Sequence, residues 1–493
     1  MAPPKDLKNQ LLLGLFIHSI KLGRLEYLYD TAVCVDKSGK IVAVEQKCDQ
    51  KKAEETIYPK LGWKTDDVTV TIAEDGQFFF PGFIDTHIHA PQYPNVGIFG
   101  KSTLLDWLNT YTFPMEASLG SLPKARRVYT RCIRRTLANG TTTAAYYATI
   151  HVPSTNLLAD LCLSLGQRAF VGRVCMDNKD MGPSYYIDES PAQSLQATRD
   201  TIDHIRSIDA SFDLISPILT PRFAPACSVD AMTQLGALHR ETNIPIQTHI
   251  AENVDECQLV RDMFPDSKNY ADVYDRFGLL GKRTILAHGI HFSEEEVDLV
   301  AQRGSKVSHC PCSNSALTSG VARVRWLLDK GVGVGLGTDV SGGYSPSILD
   351  AARQAALVSN HLAMPPRDGE KRTDSTTNTP SEDGRNRVRL SVEEVLHLAT
   401  RGGAEVVGLS DKIGGFEVGK DWDAQLIGLG FVPDGAEDST ETNQEQEDGA
   451  DTGNVDIFGW EKWEDRVAKW VFNGDDRNVK KVWVRGRLVH QRK

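Results

Sequence analysis

The sequence predicts an α/β protein: a (β/α)8 barrel of the TIM type, with a small β-sandwich assembled from the N- and C-terminal segments. Three observations predict it. Between about residues 82 and 340, short β-rich runs alternate with longer segments of helical apolar spacing. Most of those runs end on an imidazole, a carboxylate or a guanidinium group. Before and after this region the texture changes to alternating strands and turns.

The runs are FIDTHIH (83–89), TTTAAYYAT (141–149), RAFVGRVCM (168–176), LISPILTPR (214–222), PIQTHIAE (245–252), TILAHGI (284–290), KVSHCP (306–311) and VGVGLGTD (332–339). Helical segments such as Val229 to Thr242 and Glu294 to Arg303 lie between them. Strand–helix alternation argues for parallel pairing, and eight such units close into a barrel. A doubly wound open sheet fits the alternation too, but it asks for no particular residue at each strand end. The flanks read as strands at 10–80, 413–430 and 479–490, and two β-rich segments at opposite ends of a barrel suggest one small sandwich. The expected organisation is therefore 1–80 for the first part of the sandwich, 81–405 for the barrel and 406–493 for the second part. The apolar run Gln10 to Ile20 follows Lys5 and Lys8 as a signal peptide would. It lacks a small-residue cleavage site and is broken by His18 and Ser19, so it reads as the first strand.

Composition narrows the class. Hydrophobic residues at 40% and charged residues at 25% suit a soluble globular chain. No apolar run approaches the length of a membrane span. Nine cysteines without framework spacing suit free thiols in a reducing compartment, so a cytoplasmic protein is expected. Residues 434–454 hold eight acidic residues and no Lys or Arg, which leaves only −3 of the net −11 for everything else. No basic patch suggests nucleic acid. This acidic stretch and Pro365 to Arg387 lack aromatic and aliphatic side chains, and both read as disordered surface insertions.

Catalytic residues of such barrels project from the carboxyl ends of the strands. Read in order, those ends offer His87 and His89, Arg222, His249 with Glu252, His288, His309 and Asp339. The chain has only 13 histidines, so five at strand ends is an improbable accident. His87 and His89 are spaced i, i+2 and share one face of a strand, and imidazole suits zinc and neighbouring divalent metals. His249 and Asp339 complete a plausible set of three histidines and one carboxylate. Asp339 ends the glycine-rich GVGVGLGTD, where small residues let backbone and metal approach; capping a helix is its structural alternative. Strand four, LISPILTPR, has no lysine to bridge two metals, which points to a single ion. Glu252, three residues after His249, sits where a proton shuttle belongs. His288 can contact the attacking water or the developing charge. His309 and Cys310-Pro311-Cys312 read as packing.

PGFIDTHIHAPQY, TPRF, HIAEN, LAHG, SHCPCSN and GLGTDVSGGYS resemble landmarks of the aminopurine deaminases of the amidohydrolase superfamily. LLDWLNTYTFPME, GTTTAAYYATIH, KNYADVYDRFGLL and FNGDDRN are similar, more narrowly, to the guanine deaminase family. The resemblance runs from about 80 to 360 and resumes from 390 to 485; Cys312 stands where many relatives have Asn. It implies metal ligation by His87, His89, His249 and Asp339, with one zinc per chain; iron suits the same donors. It implies guanine as substrate, contacted by His89, Gln92, Arg222, Phe223, His249, Glu252 and Asp339, with Glu252, His288 and Asp339 catalytic. A homodimer is the family's common state. The rivals are another deaminase or chlorohydrolase of the superfamily, which would differ at Gln92 and Arg222. A cyclic-amide hydrolase would want the missing lysine. A non-catalytic scaffold relative would lose a ligand or the shuttle, and this chain keeps all of them.

Overall fold

The computed structural model describes residues 7–102, 104–365, 382–432 and 453–492. All eight predicted barrel strands are present in the expected order. They are β6 (Phe83–His89), β7 (Thr141–Tyr147), β8 (Arg168–Gly172) continued by β9 (Val174–Cys175), and β10 (Ile215–Pro217) continued by β11 (Thr220–Pro221). Then follow β12 (Ile246–Ile250), β13 (Thr284–His288), β14 (Lys306–His309) and β15 (Val334–Leu336). Every pairing among them is parallel. The fourth strand is split where Pro217 and Pro221 withdraw ladder donors. A bridge between Leu219 and Ile246 still joins it to β12. The ring closes between the eighth strand position and the first, where Asp339 N–H donates to the His87 carbonyl (2.9 Å) and His89 N–H to that of Val340 (3.1 Å). The helices Val229–Thr242 and Glu294–Arg303 have the predicted bounds, each with a serine N-cap accepting a backbone N–H.

The two chain ends join, in one eight-stranded sheet. Its strands are β1 (Asn9–Lys21), β2 (Arg24–Val35), β3 (Ile41–Glu45), β4 (Val68–Ile72) and β5 (Gln77–Pro81) from the N-terminal side. From the C-terminal side come β16 (Ala424–Gly428), β19 (Val479–Val484) and β20 (Arg487–Gln491); β17 (Gly430–Phe431) and β18 (Asp456–Ile457) pair separately. The Gln10–Ile20 run is the sheet's central strand, which explains its apolar character on both faces. β1 pairs with β4 up to Leu13 and with β5 at Phe16, and the switch falls at Gly14. There φ is +136° and an added Cβ would lie 2.8 Å from that of Ala73, so only glycine fits. Phe16, Phe79, Trp422, Ala424 and Trp483 pack one apolar cluster of the sheet, while Leu11, Leu13, Cys34, Ile57 and Tyr58 form another.

One part of the expectation for Pro365 to Arg387 is corrected. Residues Glu382–Val388 form a helix. Arg387 pairs with Asp329 (2.7 Å), and its carbonyl accepts from Arg325 (3.0 Å). Residues 366–381, and 434–452 of the acidic stretch, lie outside the described residues. All nine cysteines are free thiols, eight of them buried. Among the described residues no helix is long and apolar enough to cross a membrane.

The sheet grips the barrel from the amino ends of its strands. Arg168, at the start of β8 and 2% exposed, donates to Asp421 (2.8 Å), Asp423 (3.1 Å) and the Asp213 carbonyl (2.6 Å). Asp423 also accepts from Arg485 N–H (2.8 Å). Removing one partner of a buried ion pair strands the other charge, at a cost of about 3–5 kcal/mol. Arg168→Met should therefore lower the unfolding free energy by that amount in urea titrations. A loss below about 1 kcal/mol would show that the two bodies are held together elsewhere.

Candidate metal centre

His87 and His89 end β6, whose seven residues are all buried. Asp85, on the same face, accepts the Thr338 N–H (3.0 Å) and hydroxyl (2.5 Å). Burial pushes its pKa up to about 7. This contact stitches β6 to the turn that carries Asp339. At Gly337 an added Cβ would meet Ser308 Oγ at 2.7 Å, His87 Cβ at 2.8 Å and Cys310 Sγ at 2.9 Å. The glycine-rich run is therefore a close-approach device, as expected.

Four donor groups converge. His89 Nε2 lies 3.2 Å from both His87 Nε2 and His249 Nε2. Asp339 Oδ1 lies 3.2 Å from His87 Nε2 and 3.4 Å from His89 Nε2. His249 Nδ1–H donates to the Arg222 carbonyl (2.6 Å), so its Nε2 presents a lone pair. Burial lowers the pKa of His87, His89 and His249, the form a ligand needs. For Asp339 burial acts upward, but His87, His288 and His89 outweigh it and hold the carboxyl well below its usual range. A tetrahedral cation with bonds of about 2.0–2.1 Å separates its donors by roughly 3.3 Å. The spacing of these atoms fits such an ion. Among the described residues, His87, His89 and His249 form one possible metal-binding group; His87, Cys310 and Asp339 form the other. Cys310 thus approaches the centre more closely than its reading as packing implied. Burial drives its thiol pKa far up, which disfavours the thiolate a metal binds.

Beside the cluster stand Glu252 and His288. Glu252 is 4% exposed, and burial, then Asp339 and Glu256, raise its pKa well above the carboxylate range. Its Oε2 lies 3.3 Å from His288 Nε2, which is 3.8 Å from Asp339 Oδ2. His288 Nδ1 lies 2.9 Å from Asn314 Oδ1, a contact that fixes the ring. His288 (φ +75°), Asp339 (+46°) and Ala251 (+48°), next to Glu252, all occupy the left-handed region. Such strain at non-glycine residues collects where surrounding structure over-determines a functional geometry. His309 is buried, and burial, with a smaller contribution from His288, lowers its pKa to about 3.

A pocket of about 430 Å³, measured out to its mouth, opens over these groups. His89, Gln92, Arg222, Phe223, His249, Glu252, His288 and Asp339 all line it. His87 lies beneath. Leu104, Trp107, Leu108 and Leu317 supply an apolar wall, the chemistry a flat heterocycle requires. Arg222 Nη1 and Nη2 donate to Glu116 (2.7 and 3.1 Å), and its guanidinium lies 5.0 Å over the Phe113 ring. Two contributors were not singled out from sequence. Glu116 sits within LLDWLNTYTFPME, and only the tertiary structure brings it to Arg222. Tyr147, on β7, packs 4.5–4.9 Å from the rings of His87, His89 and His249.

Comparison with known proteins agrees with this architecture. Residues 78–489 match the Amidohydrolase family. The chain is 47% identical to the probable guanine deaminase of Schizosaccharomyces pombe over 97% of its length and 82% of the yeast chain. It is 40% identical to the guanine deaminase of Mus musculus, covering 97% and 95% of the two chains. Among solved structures, guanine deaminase from C. acetobutylicum with guanine bound in the active site superposes with a TM-score of 0.80 at 32% identity, covering 97% of this chain and 99% of that one. The fold and site define a hydrolase, and the chain belongs to the amidohydrolase family. Within that family its relatives are the guanine deaminases.

Proposed function

We propose that the protein hydrolyses guanine to xanthine and ammonia. The observation that carries this reading is one pocket in which a buried guanidinium faces a cluster of metal-binding donors flanked by a buried glutamate. Guanine has a carbonyl oxygen at position 6 and its amine at position 2. Arg222 has only donors, so it can bond that oxygen but meets the 6-amine of adenine donor to donor. Phe223 and the apolar wall sandwich the ring, and Gln92 reads a further edge.

His87, His89, His249 and Asp339 hold one divalent cation, which when bound makes a water acidic enough to attack near neutral pH. We assign zinc; ferrous iron suits the same donors. Asp339 accepts the proton of the attacking water. Glu252 gives its proton to the ring nitrogen beside the attacked carbon, so negative charge does not build up there. His288, between Glu252 and Asp339, steadies the developing oxygen. The carbon–nitrogen bond breaks as the amine takes up the proton that Asp339 accepted and leaves as ammonia, while the new hydroxyl returns its proton to Glu252, so both carboxyl groups end as they began. Free thiols throughout suit a cytoplasmic setting, and a homodimer follows the family habit.

Three measurements test this reading. Elemental analysis of purified protein should return one divalent metal per chain, and two equivalents that are both needed for activity would overturn the single-ion site. Glu252→Gln should keep its metal and lose at least about a hundredfold in kcat, the scale of a general acid–base; near-normal turnover would remove the shuttle role. Ammonia release from guanine should exceed that from adenine by about 10⁴-fold, as expected when a site built on donors meets the wrong partner. Equal turnover of adenine, cytosine or an s-triazine would leave the family and refute the substrate.

A further inference from the structure

Arg222 does not stand alone in the pocket. Glu116 is fully buried and takes three donors: Arg222 Nη1 on Oε2 (2.7 Å), and Arg222 Nη2 (3.1 Å) with Gln92 Nε2 (2.8 Å) on Oε1. The other end of the Gln92 amide is fixed too, because Ser341 N–H donates to Gln92 Oε1 (3.2 Å). An acceptor at one end and a donor at the other leave the amide one orientation. Phe113, beneath the guanidinium, lies one helical turn before Glu116 on Phe113–Ser118. One short helix thus supplies both the platform and the counter-charge for Arg222.

We propose that Glu116 is a positioning residue for substrate choice: it holds Arg222 and Gln92 as one rigid reading unit for a purine with an oxygen at position 6. The inference rests on the guanine reading above. Arg222 has five N–H donors, of which the pair with Glu116 engages two, so others stay free in a fixed direction. Without the counter-charge the guanidinium loses the two-point pair that fixes its direction over Phe113, so its remaining donors no longer aim at one place. With it, the pocket presents oriented donors and little net charge. Glu116 does not line the pocket. It acts through the two residues that do.

Hypoxanthine carries the oxygen at position 6 and no amine, whereas 2-aminopurine carries the amine and no oxygen. Calorimetric titration of the metal-loaded protein with hypoxanthine, and inhibition constants for 2-aminopurine, separate the two. Glu116→Gln should weaken hypoxanthine by about 10- to 100-fold, the range of one charged hydrogen bond. It should weaken 2-aminopurine at least tenfold less and leave metal content unchanged. Because this variant strands a buried charge and can fail to fold, Glu116→Asp provides a second test. It keeps the charge but is too short to reach Arg222 and Gln92 together, and should show the same selective loss. Equal losses for both ligands, or none in either folded variant, would reduce Glu116 to a structural role and overturn the proposal. A wild-type protein that neither binds hypoxanthine nor deaminates guanine would instead sink the guanine reading, and the proposal with it.

Discussion

The seam that closes the barrel is the constraint from which the site follows. Parallel strands in a closed ring bring all their carboxyl ends to one rim, so residues far apart in sequence must meet there. At the seam this is literal. The backbone bonds that join the eighth strand position to the first run between Asp339 and His87, and between Val340 and His89. Three of the four residues that converge on the metal position therefore also close the fold. Asp85, bonded to Thr338, ties the same joint one residue pair deeper. A metal-binding geometry built into barrel closure does not depend on loop order, and the left-handed backbone at Asp339 is held by bonds on both sides.

Burial is the second constraint, and it sorts the ionisable groups by their neighbours. Glu252, Asp339 and Glu116 are all buried, yet their surroundings differ. Asp339 faces three imidazoles and is kept ionised. Glu252 has its pKa pushed up by burial and then by Asp339 and Glu256. Glu116 faces a guanidinium in a two-point pair. Environments that push carboxyl groups in opposite directions assign them opposite tasks, an acceptor and a donor of protons. Glu256 feeds this sorting indirectly. It accepts the N–H groups of Glu252 (2.9 Å) and Asn253 (3.1 Å) and the Tyr270 hydroxyl (2.7 Å), so it fixes the backbone that carries the shuttle and adds charge against its ionisation.

What could be read from the sequence was whatever lies within one strand or one turn. The eight strands were legible because they are short β-rich runs alternating with helical segments, most of them ending on a chemically distinctive residue. His87 with His89, and His249 with Glu252, were legible because each pair belongs to a single strand end. Glu116 was not, because its partners lie 24 residues before it and 106 after it. Its helix follows a π-helical stretch at Leu108–Thr112 that no periodicity announces. The helix Glu382–Val388 was not legible, because Arg387's contact is an ion pair with Asp329 and the segment has no apolar periodicity. The approach of Cys310 to His87 and Asp339 depends on Gly337 having no side chain, a three-way packing fact that CPC spacing cannot encode.

The two bodies divide the work along the barrel axis. The terminal sheet binds at the amino ends of the strands, through Arg168 with Asp421 and Asp423. The chemistry sits at the opposite rim, where the backbone is strained at Ala251, His288 and Asp339. Strain and buried charge both cost stability, and a site that needs them must be held by structure that needs neither. The aromatic cluster around Phe16, Phe79, Trp422 and Trp483 is of that kind, dense, apolar and separate from the catalytic rim. β5 links the two directly: it pairs with β16 in the sheet and leads, across Gly82, into β6 and its two histidines. The strand that begins the active site is thus anchored in an apolar aromatic cluster away from the rim, which lets the rim carry strain and buried charge without losing its geometry.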